Sequence, residues 1–201
     1  SALAGWKVHY SAKRSLLILN IPTSTTTAVQ YVYNMQSRGW SSFSGWNAFD
    51  FIEYGGETYF STGTIVVKAF TGTDDFGANI VATMDTSYNR FGTREQLLPA
   101  ALRVLFGSTS GISYTLGLAQ DFTNVYSESL YSGGAGVPGL WDSGLWDTAL
   151  WGGSYSLSRN WVTIAASGAI ALSTRFRVSS KFASTLLLAI DYKFLKQGLI
   201  S

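Results

Sequence analysis

The chain has 201 residues, of which 46% are hydrophobic, 15% aromatic and 13% charged, and its formal net charge is +2. The lack of cysteine excludes disulfide bonds and thiolate metal sites, and the longest apolar runs, at 16–19 and 186–190, are too short to cross a bilayer as helices. Soluble domains average roughly 25% charged residues, so a surface this poor in charge predicts partial coverage by partners.

Short β-branched or aromatic runs predict strands through the first third of the chain. They lie at residues 6–10, 16–21, 30–35, 48–54, 58–61 and 65–70. Gly55 and Gly56 separate two of these runs and predict a two-residue hairpin turn. The turn-rich segment 71–77 predicts an internal boundary, with one region at 1–76 and a second domain at 77–201.

Longer strands are predicted beyond this boundary, at residues 79–88, 97–106, 112–122, 161–166, 169–179 and 184–195. Residues 172–179 alternate strictly between Leu, Thr, Phe, Val on one face and Ser, Arg, Arg, Ser on the other, which is typical of a half-buried antiparallel strand. A helix candidate at 94–104 contains Pro99 and is interpreted as a strand with an irregular start. These patterns predict an all-β fold whose second domain is an antiparallel, jelly-roll-like β-sandwich.

Trp141, Trp146 and Trp151 recur every five residues in a Gly-rich segment, a spacing that fits neither a helix face nor strand alternation. The favoured interpretation is that these rings cover an open end of the sandwich core. A subunit interface is the second interpretation, because tryptophan is enriched in interface hot spots. A platform that stacks on sugar rings is the third.

Catalytic constellations are not evident. His9 stands alone in an alternating strand, without a recognisable nucleophile or orienting partner. Asp74 and Asp75 fall in a turn and are interpreted as turn residues, while Asp142 and Asp147 could act as a glycosidase pair only if folding brought them together. We therefore expect a protein that is not an enzyme and that needs no cofactor or metal.

Charge is unevenly placed along the chain. The charged residues between 107 and 158 are all acidic, namely Asp121, Glu128, Asp142 and Asp147, and basic residues predominate from Arg159 onward. This pattern fits pairing between neighbouring subunits or a surface that faces a polyanion, and it equally fits ordinary solvated strand faces.

Several segments occur in an order that resembles a known family. They are residues 30–35, 39–48, 58–60, 71–77, 88–92 and 121–122, followed by the Trp141, Trp146 and Trp151 run. This order is similar to the C-terminal part of the tail nozzle proteins of short-tailed phages, the group called tail tubular protein B or packaged-DNA stabilisation protein. Residues 60–63 depart from the family pattern, which expects a Phe-Gly turn there.

The resemblance implies a structural virion protein of the phage tail, assembled in the bacterial host cytoplasm. It implies a hexameric ring of identical chains that adjoins other tail and adaptor proteins, retains packaged DNA and conducts it during ejection. Residues 1–76 would then be the propeller-blade-like end of a longer chain, with which the missing initiator Met agrees. Arg175, Arg177 and Lys181 are the best candidates for contact with the DNA backbone.

Two other classes of function compete with this reading. A carbohydrate-binding, receptor-recognition sandwich would use Trp141, Trp146 and Trp151 to stack on glycans. A glycan-degrading enzyme would use Asp142 and Asp147.

Overall fold

The computed structural model describes residues 5–93, 96–109, 111–132, 156–158, 160–164, 167–181 and 183–196. These residues form strands, turns and loops without a helix, which confirms the all-β fold predicted from the sequence. The chain divides into two compact units, Ser1–Thr71 and Gly72–Ser201. The division lies at the start of the turn-rich segment 71–77.

The first unit contains two antiparallel meanders. The described strands of the first meander are β1 (Lys7–Ser11), β2 (Leu16–Pro22), β3 (Ala28–Asn34) and β4 (Gly39–Ser44), which pair in that order. Those of the second meander are β5 (Asp50–Tyr54), β6 (Glu57–Ser61) and β7 (Val66–Lys68). Within each meander, every strand pairs with the strand next to it in the sequence, which is also the connectivity of a propeller blade.

The predicted hairpin is confirmed. β5 and β6 are joined by Gly55 and Gly56, whose φ angles of 59° and 74° both lie in the left-handed region. A two-residue turn with positive φ at both positions matches the right-handed twist of the flanking strands.

The two meanders share a core that is partly polar. Ile18 and Val32 are buried on one face of the first meander, and Phe60 is buried on the second, where its ring stacks on Trp46. Asn20 and Gln30 are also buried: the Asn20 amide donates to the Ala48 carbonyl at 2.9 Å and the Gln30 amide donates to Asn20 Oδ1 at 2.7 Å. These bonds satisfy groups whose burial would otherwise cost free energy.

The second unit is an antiparallel sandwich of two sheets. Its described strands are β8 (Ile80–Asp85), β9 (Leu97–Ser108), β10 (Ser113–Gln120), β11 (Ser127–Ser132), β12 (Ser156–Ser158), β13 (Trp161–Thr163), β14 (Leu172–Ser180) and β15 (Thr185–Lys196). One sheet has the order β11-β10-β14-β8. In the other, β9 is central, with β15 along one edge and β12 and β13 paired to it in a single common register.

The core of the sandwich lies between these sheets. Phe106 of β9 meets Tyr114 of β10 and Phe176 of β14, with ring centroids 5.0 and 5.7 Å away. The predicted alternation of 172–179 is confirmed, because Leu172, Phe176 and Val178 are buried in this core. The interpretation of 94–104 as a strand and not a helix is confirmed for its described part, since β9 begins at Leu97 and contains residues 97–104.

Two β-bulges interrupt the long pairing of β9 with β15. One lies between Leu187 and Ala189 of β15, and the other faces Pro99–Ala101 of β9, where the register passes from Lys193↔Ala101 to Phe194↔Pro99. A bulge is one of the few places where a sheet accommodates proline. The irregular start expected from Pro99 is this second bulge.

Candidate functional site

The tryptophans that the sequence singled out, Trp141, Trp146 and Trp151, lie outside the described residues, as do Asp142 and Asp147. The three basic candidates, Arg175, Arg177 and Lys181, are described. Arg175 and Arg177 project from the same face of β14, the face turned away from the sandwich core.

Arg175 is held by an ion-pair cluster that spans four strands. Its guanidinium makes a bidentate pair with Asp85 of β8, with both N···O distances at 2.8 Å, and reaches Glu128 of β11 at 3.3 Å. The same guanidinium lies 4.0 Å from the ring centroid of Tyr126, within the range of a cation–π contact. Its charge is therefore compensated from both sides.

Gly117 makes this cluster sterically feasible. The register places Asp85, Arg175, Gly117 and Glu128 in one row across the sheet, so Arg175 reaches Glu128 over a residue without a side chain. A Cβ at Gly117 would come within 2.8 Å of Glu128 Cγ and 3.0 Å of Tyr126 Cβ. Within the row, the hydrogen bonds from Arg175 hold the pKa of Asp85 below its usual range.

Arg177 and Lys181 differ from Arg175 in their surroundings. Arg177 is exposed and lies between Thr83 and Thr115 in the register, and no described carboxylate is within ion-pair distance of it. The Lys181 ammonium donates to the Gly77 carbonyl at 2.6 Å. Within the described part of β14, Arg177 is thus the arginine whose charge is available to a partner.

The uneven charge of the sequence is partly explained by these contacts. Glu128 belongs to the acidic stretch and Arg175 to the basic one, and they pair within one chain rather than between chains. Asp121, also from the acidic stretch, accepts hydrogen bonds from the backbone N–H groups of Ile170 and Ala171 at 2.8 and 3.1 Å. Both acidic residues have structural partners.

A second candidate surface is the outer face of the first meander, opposite the buried face that holds Ile18 and Val32. Its side chains form cross-strand rows, which are Val8–Leu19–Tyr31–Ser42, Tyr10–Leu17–Tyr33–Trp40 and Ile21–Val29–Ser44. Trp40 is 60% exposed and Tyr31 47% exposed. We call these three rows the outer face; no charged residue belongs to them. A contiguous apolar surface of this kind marks an interaction site.

The amino-acid sequence carries one signal for this outer face, which is not enough to predict it. Residues 16–19 are apolar without alternation, a pattern that indicates a strand covered on both sides. β2 places Leu17 and Leu19 on the outer face and Ile18 in the core. The sequence of one such strand does not show which residues of adjacent strands complete the apolar surface. The strand register of the sheet identifies those residues.

His9 is placed in the first unit beside carboxylates but without a catalytic constellation. Its Nε2 is 3.8 Å from Glu53 Oε2, and its ring stacks on Phe51 with centroids 5.5 Å apart. Among the described residues, no cluster of three or more His, Cys, Asp or Glu side chains could hold a metal ion. Asp75 lies in the turn predicted for it, where it forms a bridge with Ala78.

Comparison with known proteins adds no family: neither a family model nor a curated protein matches this chain. In the described ranges, no helix is long and apolar enough to cross a membrane.

Proposed function

We propose that this protein is a non-catalytic structural subunit of the tail of a short-tailed phage. In this proposal identical chains form a ring in the tail nozzle, next to other tail and adaptor proteins. The ring retains packaged DNA and conducts it during ejection. The observation that carries the proposal is the outer face, which is apolar and is uncovered within the first unit.

A four-stranded antiparallel meander that packs on one face and keeps an apolar, uncovered surface on the other is suited to a stack of sheets. Propeller blades are such meanders, and each packs face to face with a neighbour on either side. Here the second meander covers one face, and the exposed Val8, Tyr31 and Trp40 lie on the other. This arrangement supports the blade-like region implied by the family resemblance, and the low charge of the chain supports extensive contact with partners.

Assembly provides the first test. The purified chain is expected to self-associate in sedimentation velocity and to form six-fold rings with a central channel in negative-stain electron micrographs. Tyr31→Lys and Trp40→Lys place a charge on the outer face and are expected to weaken association by about tenfold, the equivalent of one lost apolar side-chain contact.

Val125→Lys is the matched control, because Val125 is an exposed apolar residue of the second unit. Circular dichroism of each variant checks that its fold is retained. Association that is unaffected by both outer-face substitutions, or particles that are not rings, would contradict the proposal.

DNA contact provides the second test. Since Arg175 is neutralised by Asp85 and Glu128, Arg177 is the residue to change. Binding to duplex DNA of arbitrary sequence should be weak and should fall as salt rises. Arg177→Ala should reduce the slope of log K against log salt by about one unit. Arg90→Ala, in an exposed loop of the same unit, should leave the slope unchanged; equal effects of the two variants would argue against a DNA-facing β14.

Carbohydrate binding is the second candidate function, and the exposed aromatic rings of the outer face favour testing it. Tyr33 and Trp40 lie 5.0 Å apart, but their planes are inclined by 43°, so the two rings do not make one flat platform for a sugar. Glycan-dependent quenching of tryptophan fluorescence that disappears in Trp40→Ala would favour this candidate over the nozzle.

A further inference from the structure

The sandwich of the second unit leaves apolar side chains uncovered at one edge. All six residues of β8 are exposed, including Ile80, Ala82 and Met84, which lie on the core-facing side of their sheet. Their position follows from the register, because Ala82 and Met84 pair with the buried Val178 and Phe176. Side chains on the core side of this strand are therefore accessible to an outside molecule.

A groove of about 490 Å³ lies beside Met84, and its volume is typical of sites that hold small molecules. The stretch of β15 that runs along it, 187–192, is about 16 Å long at roughly 3.3 Å per residue. This elongated shape suits a linear chain better than a ring system. The lining residues come from the end of β8, the segment after it and β15, and they are Met84, Thr86, Ser87, Asn89, Phe91, Leu187, Leu188, Ala189, Ile190 and Tyr192.

Aromatic packing closes the groove at one end. The Phe91 ring lies 4.7 Å from the Tyr192 ring and 4.8 Å from the Phe194 ring, measured between centroids. From this end the groove continues along β15 to Leu188, which is 56% exposed. A linear ligand can enter beside Leu188 and extend toward Phe91.

The two walls of the groove differ in polarity, but neither is charged. The β15 wall is aliphatic, with Leu187, Leu188 and Ile190, and the wall that follows β8 contains the polar, neutral residues Ser87 and Asn89. A charged ligand would lose its hydration here without gaining a partner of opposite charge. The groove therefore favours a neutral ligand that is apolar along one side.

Two polar side chains keep hydrogen-bonding capacity for such a ligand. Asn89 Oδ1 accepts a hydrogen bond from the Phe91 backbone N–H at 2.7 Å, and the Nδ2 group of Asn89 has no partner among the described residues. The Ser87 hydroxyl has no described partner either. Thr86 differs, because its hydroxyl accepts from the Thr174 backbone N–H at 2.9 Å. Ser87 and Asn89 can thus donate to ester or hydroxyl oxygens of a ligand.

The free edge of β15 is poorly suited to a further strand. The bulge between Leu187 and Ala189 leaves Leu188 without a partner on β9, and bulges on edge strands hinder pairing with another chain. The same stretch contains the charged Asp191, which pairs with Arg103. An occupant held by apolar contact along its length, without a backbone ladder, fits this edge better than a peptide strand does.

We propose that this groove binds a neutral amphiphile with a single acyl chain, such as a monoacylglycerol. The acyl chain lies between Met84 and the aliphatic side chains of β15, and the ester and hydroxyl oxygens accept hydrogen bonds from Ser87 and Asn89. Burial of the exposed Leu188 and Met84 side chains against the acyl chain favours binding. This inference is carried by the second unit alone, and it holds whether or not the chain belongs to a phage tail.

Methyl NMR of the whole chain tests the proposal, because Met35 and Met84 are its two methionines and lie in different units. In a chain with methyl-labelled methionine, 1-octanoylglycerol below its critical micelle concentration should shift the Met84 signal saturably and leave the Met35 signal in place. Met84→Leu assigns the two signals. Glycerol, the head group alone, should shift neither signal. Octanoate, the same acyl chain with a charged head, should bind about tenfold more weakly or worse.

Two nearby leucines of β15 provide matched variants. Leu188 lines the groove and is 56% exposed, whereas Leu186 is 54% exposed and is not a lining residue. Leu188→Asn should raise the dissociation constant of 1-octanoylglycerol about tenfold, and Leu186→Asn should leave it unchanged. Since both side chains are exposed, both variants should fold, which circular dichroism checks.

Several outcomes would overturn the proposal. They are equal shifts of the Met35 and Met84 signals, a Met84 shift that glycerol alone reproduces, octanoate binding as tight as that of the neutral ligand, and equal effects of Leu186→Asn and Leu188→Asn. A Met84 signal that moves with protein concentration alone would assign the groove to a second copy instead. A shift caused by an uncharged apolar peptide but not by 1-octanoylglycerol would assign it to a protein segment. None of these outcomes bears on the proposed ring.

Discussion

At His9, burial outweighs the nearby carboxylates. Burial lowers the pKa of the imidazole from its ordinary value of 6.5, although Glu53 and Asp50 act to raise it. The Nε2 atom is buried and has no hydrogen-bond partner among the described residues. A proton added there would form an ion pair with Glu53 at a distance of only 3.8 Å. It would also place a positive charge in a site that is poorly solvated.

This site predicts a defined loss of stability in weak acid. The unfolded chain protonates His9 near pH 6.5 and the folded chain only at lower pH. The unfolded state therefore binds more protons between these values, so the free energy of unfolding falls as the pH drops through 6.5 and levels off below the folded pKa. His9→Phe should remove this dependence.

The measurement is direct because His9 is the single histidine. Its imidazole resonance in a proton NMR titration should have a midpoint below 6.5, and Glu53→Gln should lower that midpoint further. A midpoint at or above 6.5 would show that the Glu53 attraction prevails.

Arg175 illustrates what sequence can say about a single residue. The alternation of 172–179 placed Arg175 and Arg177 on one outward face, and this is how they lie. The partners of Arg175 could not be predicted, because Asp85 is 90 positions away and Glu128 is 47 positions away. The row across four strands neutralises one arginine and leaves its neighbour exposed, and only the register distinguishes them.

At the scale of elements, the two glycines of the β5–β6 hairpin turn should differ in how well they tolerate substitution. The second position requires glycine more strictly than the first. A turn with positive φ at both positions favours Asn followed by Gly, and neither glycine has an atom within 4 Å of an added Cβ. Gly55→Asn should therefore leave the free energy of unfolding nearly unchanged. Gly56→Val should lower it by about 1–2 kcal/mol, because a β-branched residue is strained in the left-handed region.

Urea denaturation of the two hairpin variants, followed by circular dichroism, measures this difference. Equal losses at Gly55 and Gly56 would mean that the turn does not require the left-handed conformation at its second position.

The strands that sequence predicted and those that it missed differ in character. Apolar alternation predicted β14, and a continuous apolar run predicted β2. β4 and β11 were missed because their sequences, GWSSFS and SESLYS, are mostly polar. They are strands because β3 and β10 offer free edges to them, and this tertiary pairing overrides weak local preference.

At the scale of the whole molecule, the two units have separate cores. Phe60 and Ala48 belong to the core of the first, and Phe106 and Phe176 to that of the second. Residues 72–201 expressed alone should therefore fold cooperatively, with a urea midpoint close to that of the corresponding transition in the whole chain. A fragment without a cooperative transition would show that the second unit needs the first.

Composition predicted a covered surface but not its location. Low charge is a property of the whole chain, whereas the outer face and the groove beside β15 depend on which strands are neighbours. The order of short motifs suggests a phage tail protein, the outer face supports its assembly with partners, and the assignment is a proposal. The placement of Trp141, Trp146 and Trp151 stays a prediction as well.

The bulge at Pro99–Ala101 of β9 marks a position where the chain should tolerate the loss of one residue. In β9 the buried positions are Leu97 and Pro99 before the bulge and Leu102, Val104 and Phe106 after it, so the parity of the buried face changes at Ala100 and Ala101. Removing Ala100 restores simple alternation and keeps every other side chain on its present face.

Removing Arg103 instead would move the side chains at one end of β9 to the opposite face of the sheet, because a one-residue slip exchanges the two faces of a strand. The buried side chains there would then face solvent. Thermal unfolding of the two deletion variants should show a folded protein for the first and loss of the cooperative transition for the second. Deletion of Ala100 should therefore preserve the fold. Insertions and deletions among related sequences should be most frequent at that position.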